Sequence, residues 1–195
     1  MTDPAQLAAL DGQQYLVLRP VRDVASFYRA ERAAVLAGLP RSVSSPNTGH
    51  VTLRGFAESD RPDHVAAVVA EWAREQGPIT LRVDGVDGFP PPFSVIIARL
   101  ERTPTLLDSY ARLTRLLEET DLGRLGELGL DEWVFHLSLA YCGGLDAAAW
   151  DDAHARTARV VAELPTEVIM QAELVWYESG AEHTTVVPFG GRPSS

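Results

Sequence analysis

Two short stretches hold the residues best suited to chemistry. Gly49-His50-Val51-Thr52-Leu53 and Phe135-His136-Leu137-Ser138-Leu139 each run histidine, apolar, hydroxyl, leucine, and their histidines lie 86 positions apart (136 minus 50). An unperturbed imidazole titrates near about 6.5, so at neutral pH one ring can accept a proton while another gives one up. A hydroxyl two residues further on adds a hydrogen-bond donor. The apolar, β-branched and aromatic neighbours read as strands. Side chains alternate along a strand, so His50 points with Thr52 and His136 with Ser138, while Val51, Leu53, Leu137 and Leu139 pack behind them.

The elements that must position these pairs can be read in order. Gln14 to Arg19 is a strand closed by Pro20, and Asp23 to Leu36 is a helix with Asp23 as N-cap and Gly38 as stop. A polar loop, Pro40 to Gly49, leads into the first histidine strand. Val65, Val68, Val69 and Trp72 follow the spacing of a buried helix face that ends at Gly77-Pro78. Ile79 to Val83 and Phe93 to Leu100 read as strands, joined by a projecting Pro-rich loop, Asp84 to Pro92. Thr103 caps the next helix and Pro104 opens it, with Leu106, Tyr110, Leu113 and Leu117 on one side. After a connector, Asp121 to Asp131, comes the second histidine strand. A helix capped by Asp146 follows, with Trp150, Ala153, Thr157, Val160 and Leu164 sharing a face. Val168 to Glu178 and Thr184 to Phe189 form a closing hairpin around Ser179-Gly180.

The halves match in order. Strand, helix, histidine strand, helix, strand (Tyr15–Leu18 through Ile79–Val83) corresponds to Ser94–Ala98 through Val168–Val175. From motif histidine to the next strand takes 29 positions in the first half (79 minus 50) and 32 in the second (168 minus 136). The expected fold is α+β: one bilobal domain over residues 1–195, with pseudo-twofold-related lobes, each an antiparallel-rich sheet flanked by helices, around a central cleft. The repeat halves fall at about 13–92 and 93–189. Residues 1–12 are expected to be a short arm and 190–195 a flexible tail.

Bulk properties narrow the partners. A net charge of −10, with all 17 basic residues arginine, disfavours sequence-independent binding to long nucleic acid. A small phosphorylated nucleotide or an RNA end in a locally positive cleft stays possible. No apolar run reaches the about 18 residues that span a bilayer. The N-terminus has no basic n-region of a secretory signal. A single cysteine, Cys142, excludes an internal disulfide and suits a reducing cytoplasm. Nothing in the sequence demands more than a monomer.

Two copies of His-apolar-Thr/Ser-apolar, on strands, in a chain of this length and repeated topology, resemble the 2H (two-histidine) phosphoesterase superfamily, in particular its bacterial 2′-5′ RNA ligase-like and cyclic phosphodiesterase branch. The resemblance runs from Gln14 to Phe189. It implies His50, Thr52, His136 and Ser138 as catalytic residues, opening of a 2′,3′-cyclic phosphate or related cyclic phosphodiester, and no metal or other cofactor. Ser138 stands where the family more commonly has Thr. Such a hydrolysis needs one group to take a proton from water and another to protonate the departing ribose oxygen, each worth about 10² to 10⁴ in rate. The hydroxyls would donate to non-bridging phosphoryl oxygens. We assign His50 as base and His136 as acid, a direction that the symmetry of the pattern leaves open. The alternatives are a 2′-5′ RNA ligase or RNA-processing enzyme using the same histidines, and a non-catalytic nucleotide-binding module.

Arg54, two beyond Thr52, would share its face and contact phosphate, or else form a salt bridge at the strand end. Phe89, Phe93, Trp176 and Tyr177 could stack a nucleobase. Tyr141 should point away from His136, and Cys142, which shares the parity of His136, reads as a buried structural cysteine. His64, His154 and His183 read as solvated surface histidines. The motif spacing supplies no third ligand for a metal.

Overall fold

The computed structural model describes residues 10–46 and 48–191. The described residues form two antiparallel sheets and four helices. Strands β1 (Gln14–Leu18), β2 (Val51–Phe56), β5 (Arg124–Leu125), β9 (Gln171–Glu178) and β10 (Ala181–Pro188) form one sheet in the order β10-β9-β1-β2-β5. The other runs β6-β4-β3-β7, from His136–Tyr141, Val95–Leu100, Ile79–Phe89 and Arg159–Val160, and β8 (Thr166–Ile169) also pairs with β3. The helices are α1 (Asp23–Ala37), α2 (Pro62–Glu75), α3 (Pro104–Glu118) and α4 (Ala147–Thr157). None of them is long and apolar enough to cross a membrane.

The sheets exchange strands. β3, from the first half of the sequence, pairs with β4 of the second, while β9, from the second half, pairs with β1 of the first. One hydrophobic cluster consequently takes side chains from both sheets and from all four helices. Every apolar position assigned to the buried faces of α2 and α3 lies in it, Val65, Val69 and Leu106 among those wholly without solvent contact.

Both histidine strands carry a β-bulge at the same place. One step along β1, Leu16 to Val17, spans two along β2, from Arg54 back to Thr52; one step along β4, Ile96 to Ile97, spans two along β6, from Ala140 back to Ser138. The extra residues are Leu53 and Leu139, and beyond each the alternation of faces reverses.

Several sequence expectations are corrected. β3 continues to Phe89 in register with β4, so 84–92 is mostly strand and only the turn after it is loop. Gly85 fits a bulge after Val83, and Gly88 lets α4 close in: a Cβ there would lie 2.7 Å from the Trp150 ring. α4 stops at Thr157, so Val160 and Leu164 leave its face and are exposed. Val168–Val175 is not one strand, because the chain changes sheets at Met170. Gly190 and Gly191 donate to the Ala73 and Gln76 carbonyls and are held against the end of α2. The rest of the expected tail, and most of the expected N-terminal arm, lie outside the described residues.

Asp146 caps α4 as expected, its Oδ1 accepting from the Ala149 amide at 2.8 Å. Asp23 instead is the first helical residue of α1, whose N-cap, Arg22, makes no side-chain capping bond; Glu167 of β8 fixes the entry to the helix, accepting from the Val21 and Arg22 amides at 2.7 and 3.0 Å. Glu167 is buried, so its loss leaves two amides without partners. Glu167→Ala is expected to cost about 1–3 kcal/mol, seen as a lower denaturant midpoint at unchanged slope. Asp23→Ala, which removes only a charge near the helix N-terminus, should cost about 0.3–1 kcal/mol. Equal losses in the two variants would refute this assignment.

Candidate functional site

On the sheet built around β1 and β2, one face gathers His50, Thr52, Gly55, Tyr15, Val17, Arg19, Glu173 and Tyr177. Register explains the grouping: Val17 lies opposite both Thr52 and Glu173, and Tyr15 lies opposite both Gly55 and Val175. The other sheet presents His136, Ser138, Tyr141, Ile97, Arg99, Asp87 and Phe89 in the same way, with Ile97 opposite both Ser138 and Asp87. Val51, Leu53, Leu137 and Leu139 behind them have no solvent exposure.

The two imidazoles lie within electrostatic reach of one another. Charge on His136 disfavours charge on His50, so the rings share one electrostatic environment. Each is tied to the backbone two residues before it, His50 to Thr48 and His136 through Nδ1 to the Val134 carbonyl at 2.8 Å. The second bond assigns the His136 proton to Nδ1 and leaves Nε2 to face a ligand. Phe89 packs edge-on against His136, with ring centroids 4.8 Å apart. Gly49 sets the approach to His50: a Cβ there would lie 2.8 Å from the Tyr28 ring.

Each histidine has an arginine beside it, held by a carboxylate from the exchanged strand. Arg19 Nε donates to Glu173 at 2.6 Å, and Arg19 also bonds Thr48. Arg99, the cross-strand neighbour of His136, bonds Asp84 at 2.9 Å and Asp87 at 3.0 Å. The halves are unequal here, with one carboxylate on Arg19 and two on Arg99 among the described residues. Burial and then the Arg19 charge push His50 down to about 4. Burial also lowers His136, against the bond that its Nδ1–H donates to the Val134 carbonyl.

Four phenols complete the cleft. Tyr141 shares the sheet face of Ser138, and its charge would be felt by Tyr15, Tyr28 and Tyr177. Burial raises all four, Tyr28 to about 12, so each keeps its proton and can donate. Tyr15 and Tyr177 pack edge to face, with centroids 6.3 Å apart. A pocket of 150 Å³ beside His50 is lined by Arg19, Tyr28, Arg29, Thr48 and Gly49, among others. Among the described residues no three His, Cys, Asp or Glu side chains gather as metal ligands.

The duplicated motif, its bulges and the strand exchange are now joined by a family match: the sequence fits the 2′-5′ RNA ligase superfamily over residues 28–181. The chain belongs to this superfamily, which includes phosphodiesterases and ligases. A search of curated proteins finds no match. Solved structures with the same fold include TT0787 of Thermus thermophilus (20% identity, TM-score 0.66, covering 92% of this chain and 98% of that one). E. coli LigT complexed with 3′-AMP is similar at 14% identity and TM-score 0.62, covering 90% and 94%. Kluyveromyces marxianus Usb1 is similar at 11% identity and TM-score 0.59, covering 93% and 100%.

Within this superfamily fold each motif histidine shares a sheet face with its hydroxyl and the two histidines lie within electrostatic reach, but other expected contacts move. Arg54 is the main correction. The bulge at Leu53 turns it onto the helix-covered face, where it is fully buried. Its Nη2 donates to Thr114 at 2.7 Å, Nη1 lies 3.3 Å from Glu127, and the guanidinium sits 4.5 Å from the Tyr110 ring centre. The bulge at Leu139 does the reverse for Tyr141, which joins the face of Ser138, and sends Cys142 into the core. Tyr177 reaches the phenols. Trp176, on the opposite face, stacks on exposed His183 at 5.3 Å, and Phe93 is 71% exposed on the turn after β3. His64 is exposed as read, whereas His154 is half-buried, stacked on Trp150 and 3.0 Å from Asp87. Arg19, Arg99, Tyr15 and Tyr28 escaped notice. A signal for the first two exists, since an arginine directly follows the apolar run of each half: Tyr15 to Arg19, Val95 to Arg99.

Arg54 Nε and Nη1 have no hydrogen-bond partner among the described residues, and Glu127 keeps Arg124 at 2.9 Å without it. Replacing a buried, incompletely paired charge with an apolar side chain is often neutral or stabilising. Arg54→Met should therefore match or exceed the wild-type denaturation midpoint and leave affinity for inorganic phosphate within about twofold. A charged contact to the anion would be worth about 1.5–3 kcal/mol, and its loss would weaken phosphate tenfold or more.

Proposed function

We propose that the chain opens cyclic phosphodiesters, in particular 2′,3′-cyclic phosphate ends of nucleotides or RNA, by acid-base catalysis from His50 and His136 without a metal. The observation that supports this reading is that two unequal imidazoles, each on a strand with a hydroxyl on the same face, lie within electrostatic reach of one another. In the hydrolytic direction the base must be neutral and the acid protonated. His50, held down to about 4, is neutral over most of the accessible range and takes the proton from water. His136, lowered by burial against its bond to the Val134 carbonyl, is the better acid, and its Nε2–H protonates the leaving ribose oxygen. Thr52 and Ser138 donate to non-bridging oxygens, where charge accumulates as water attacks. The ligands of E. coli LigT, which has been solved with 3′-AMP, ATP and phosphate, favour nucleotides as the class to assay. Ligation of a 2′-5′ linkage is the alternative use of the same two groups.

The test is turnover of nucleoside 2′,3′-cyclic phosphates in the presence of a chelator. His50→Ala and His136→Ala should each lose at least about 10²-fold in kcat. Binding without turnover by the wild type would remove the enzymatic reading, and activity confined to 2′-5′ linked oligonucleotides would favour the ligase one.

The pH profile tests the roles. The kcat/KM profile reports the free enzyme. It should fall below about 4, where His50 becomes protonated, and fall again as pH rises through the lowered value of His136, below 6.5. Arg19→Gln removes a positive charge that disfavours protonated His50. The acidic limb should then move to higher pH while the alkaline limb stays in place. Movement of the alkaline limb alone would reverse the two roles.

A further inference from the structure

Helix α4 reaches the second half of the site through one side chain. His154 Nε2 lies 3.0 Å from Asp87 Oδ1, and the same oxygen accepts from the Gly88 amide at 2.9 Å. The other oxygen, Oδ2, accepts from Arg99 Nη1 at 3.0 Å. Arg99 Nε in turn donates to Asp84 at 2.9 Å, and Arg99 is paired across the strands with His136. Two glycines make room for this row. A Cβ at Gly88 would lie 2.9 Å from the His154 ring, and one at Gly85 would lie 3.2 Å from Arg99 Nη2. The His154 ring stacks on buried Trp150, with centroids 5.6 Å apart and planes 16° apart. In the first half Glu173, which holds Arg19, is bonded to no imidazole among the described residues.

We infer that His154 is a positioning residue: from α4 it fixes the Asp87 carboxylate that holds Arg99 beside His136. The inference rests on the two-histidine reading above. Burial would raise Asp87, but the bonds from His154 and Gly88 and the Arg99 charge hold it below the usual carboxylate range, so it is ionised. An ionised carboxylate only accepts, which puts a proton on His154 Nε2 in the neutral ring as in the charged one. The bond therefore persists whichever form His154 takes. Stacking on Trp150 fixes the ring, the ring fixes Oδ1, and Oδ2 is left facing Arg99. A carboxylate held there offsets the Arg99 charge, which otherwise disfavours protonated His136. The other charged groups around this row are engaged or turned outward. Arg159 of β7 pairs with Glu31, Asp152 and Arg156 of α4 pair with each other, and Asp151 is exposed. Around His136 itself, Tyr141 keeps its proton and His50 lies on the opposite sheet.

The experiment compares wild type, His154→Phe, His154→Gln and Asp87→Asn. It reads the titration midpoint of the His136 ring protons by NMR, the alkaline limb of kcat/KM for adenosine 2′,3′-cyclic phosphate, and melting temperature. Phenylalanine keeps the stack on Trp150 and loses the donor, whereas glutamine keeps a donor. Neither carries charge, so the difference between them reads the bond alone. Asp87→Asn should lower the His136 midpoint by about half a pH unit, short of the about 1–3 units of a close, buried charge, because Arg99 is part-exposed. His154→Phe should move it in the same direction. His154→Gln should lie closer to wild type than His154→Phe, and the alkaline limb should follow the midpoint in every variant. No shift in Asp87→Asn, equal midpoints in the two His154 variants, or a larger displacement in His154→Gln would overturn the role of His154. Shifts that track melting temperature would do the same. Absence of turnover by the wild type would instead overturn the phosphodiesterase reading, and the NMR titration would still decide His154.

Discussion

Burial of Val51, Leu53, Leu137 and Leu139 is the constraint on which the site depends. All four are without solvent contact, and hiding each is worth about 1.5–3 kcal/mol. A slip of one residue in either strand would carry these side chains to the cleft and the histidine and hydroxyl into the core, an exchange unfavourable in both directions. The core thus fixes the aim of the motif histidines and hydroxyls. The strand exchange then brings the two aimed faces together. β3 and β9 each close the sheet of the opposite half, and they carry the carboxylates Asp87 and Glu173 that hold the arginines beside the histidines.

Symmetry of backbone coexists with asymmetry of charge, and the proposed acid-base reaction would need the second. Two identical imidazoles in one cleft would compete for one proton with no preferred direction. The imbalance arises around the rings: a third carboxylate, Asp84, sits on the bulge of β3 and bonds Arg99, and among the described residues no equivalent carboxylate bonds Arg19. Arg19 therefore keeps more of its field at His50, and the two rings divide into a weaker and a stronger proton acceptor.

Most of this was legible in the sequence, and the failures share a cause. Periodicity located α2 and α3, because a buried helix face repeats regularly whatever covers it. It located the motif strands for the same reason. It misplaced Arg54 and Tyr141, and gave Cys142, buried as read, the wrong parity, because strict alternation was carried through a bulge, and a bulge is a property of pairing between β2 and β1 or β6 and β4, with no local composition to announce it. The glycines of 84–92 read as loop because a glycine that admits a neighbour, as Gly88 admits Trp150, looks the same in sequence as one that turns the chain. Arg19 and Arg99 went unnoticed because their importance comes from partners more than 10 residues away, Glu173 for one and Asp84 and Asp87 for the other.

The charge of the whole molecule bears on how a ligand is held. At −10 the protein's long-range field opposes an incoming phosphodiester, so the cleft gains little from electrostatic steering. Arg19 and Arg99, the cations beside the histidines, are already paired with carboxylates. On the proposed function, the groups left to meet the anion would be neutral donors: Thr52, Ser138 and the phenols around them. Neutral donors discriminate by geometry, and they respond to charge that builds on particular oxygens during reaction more than to the net charge of the bound substrate. Such a site suits one compact phosphodiester better than a long polyanion, whose further phosphates would meet a repulsive surface.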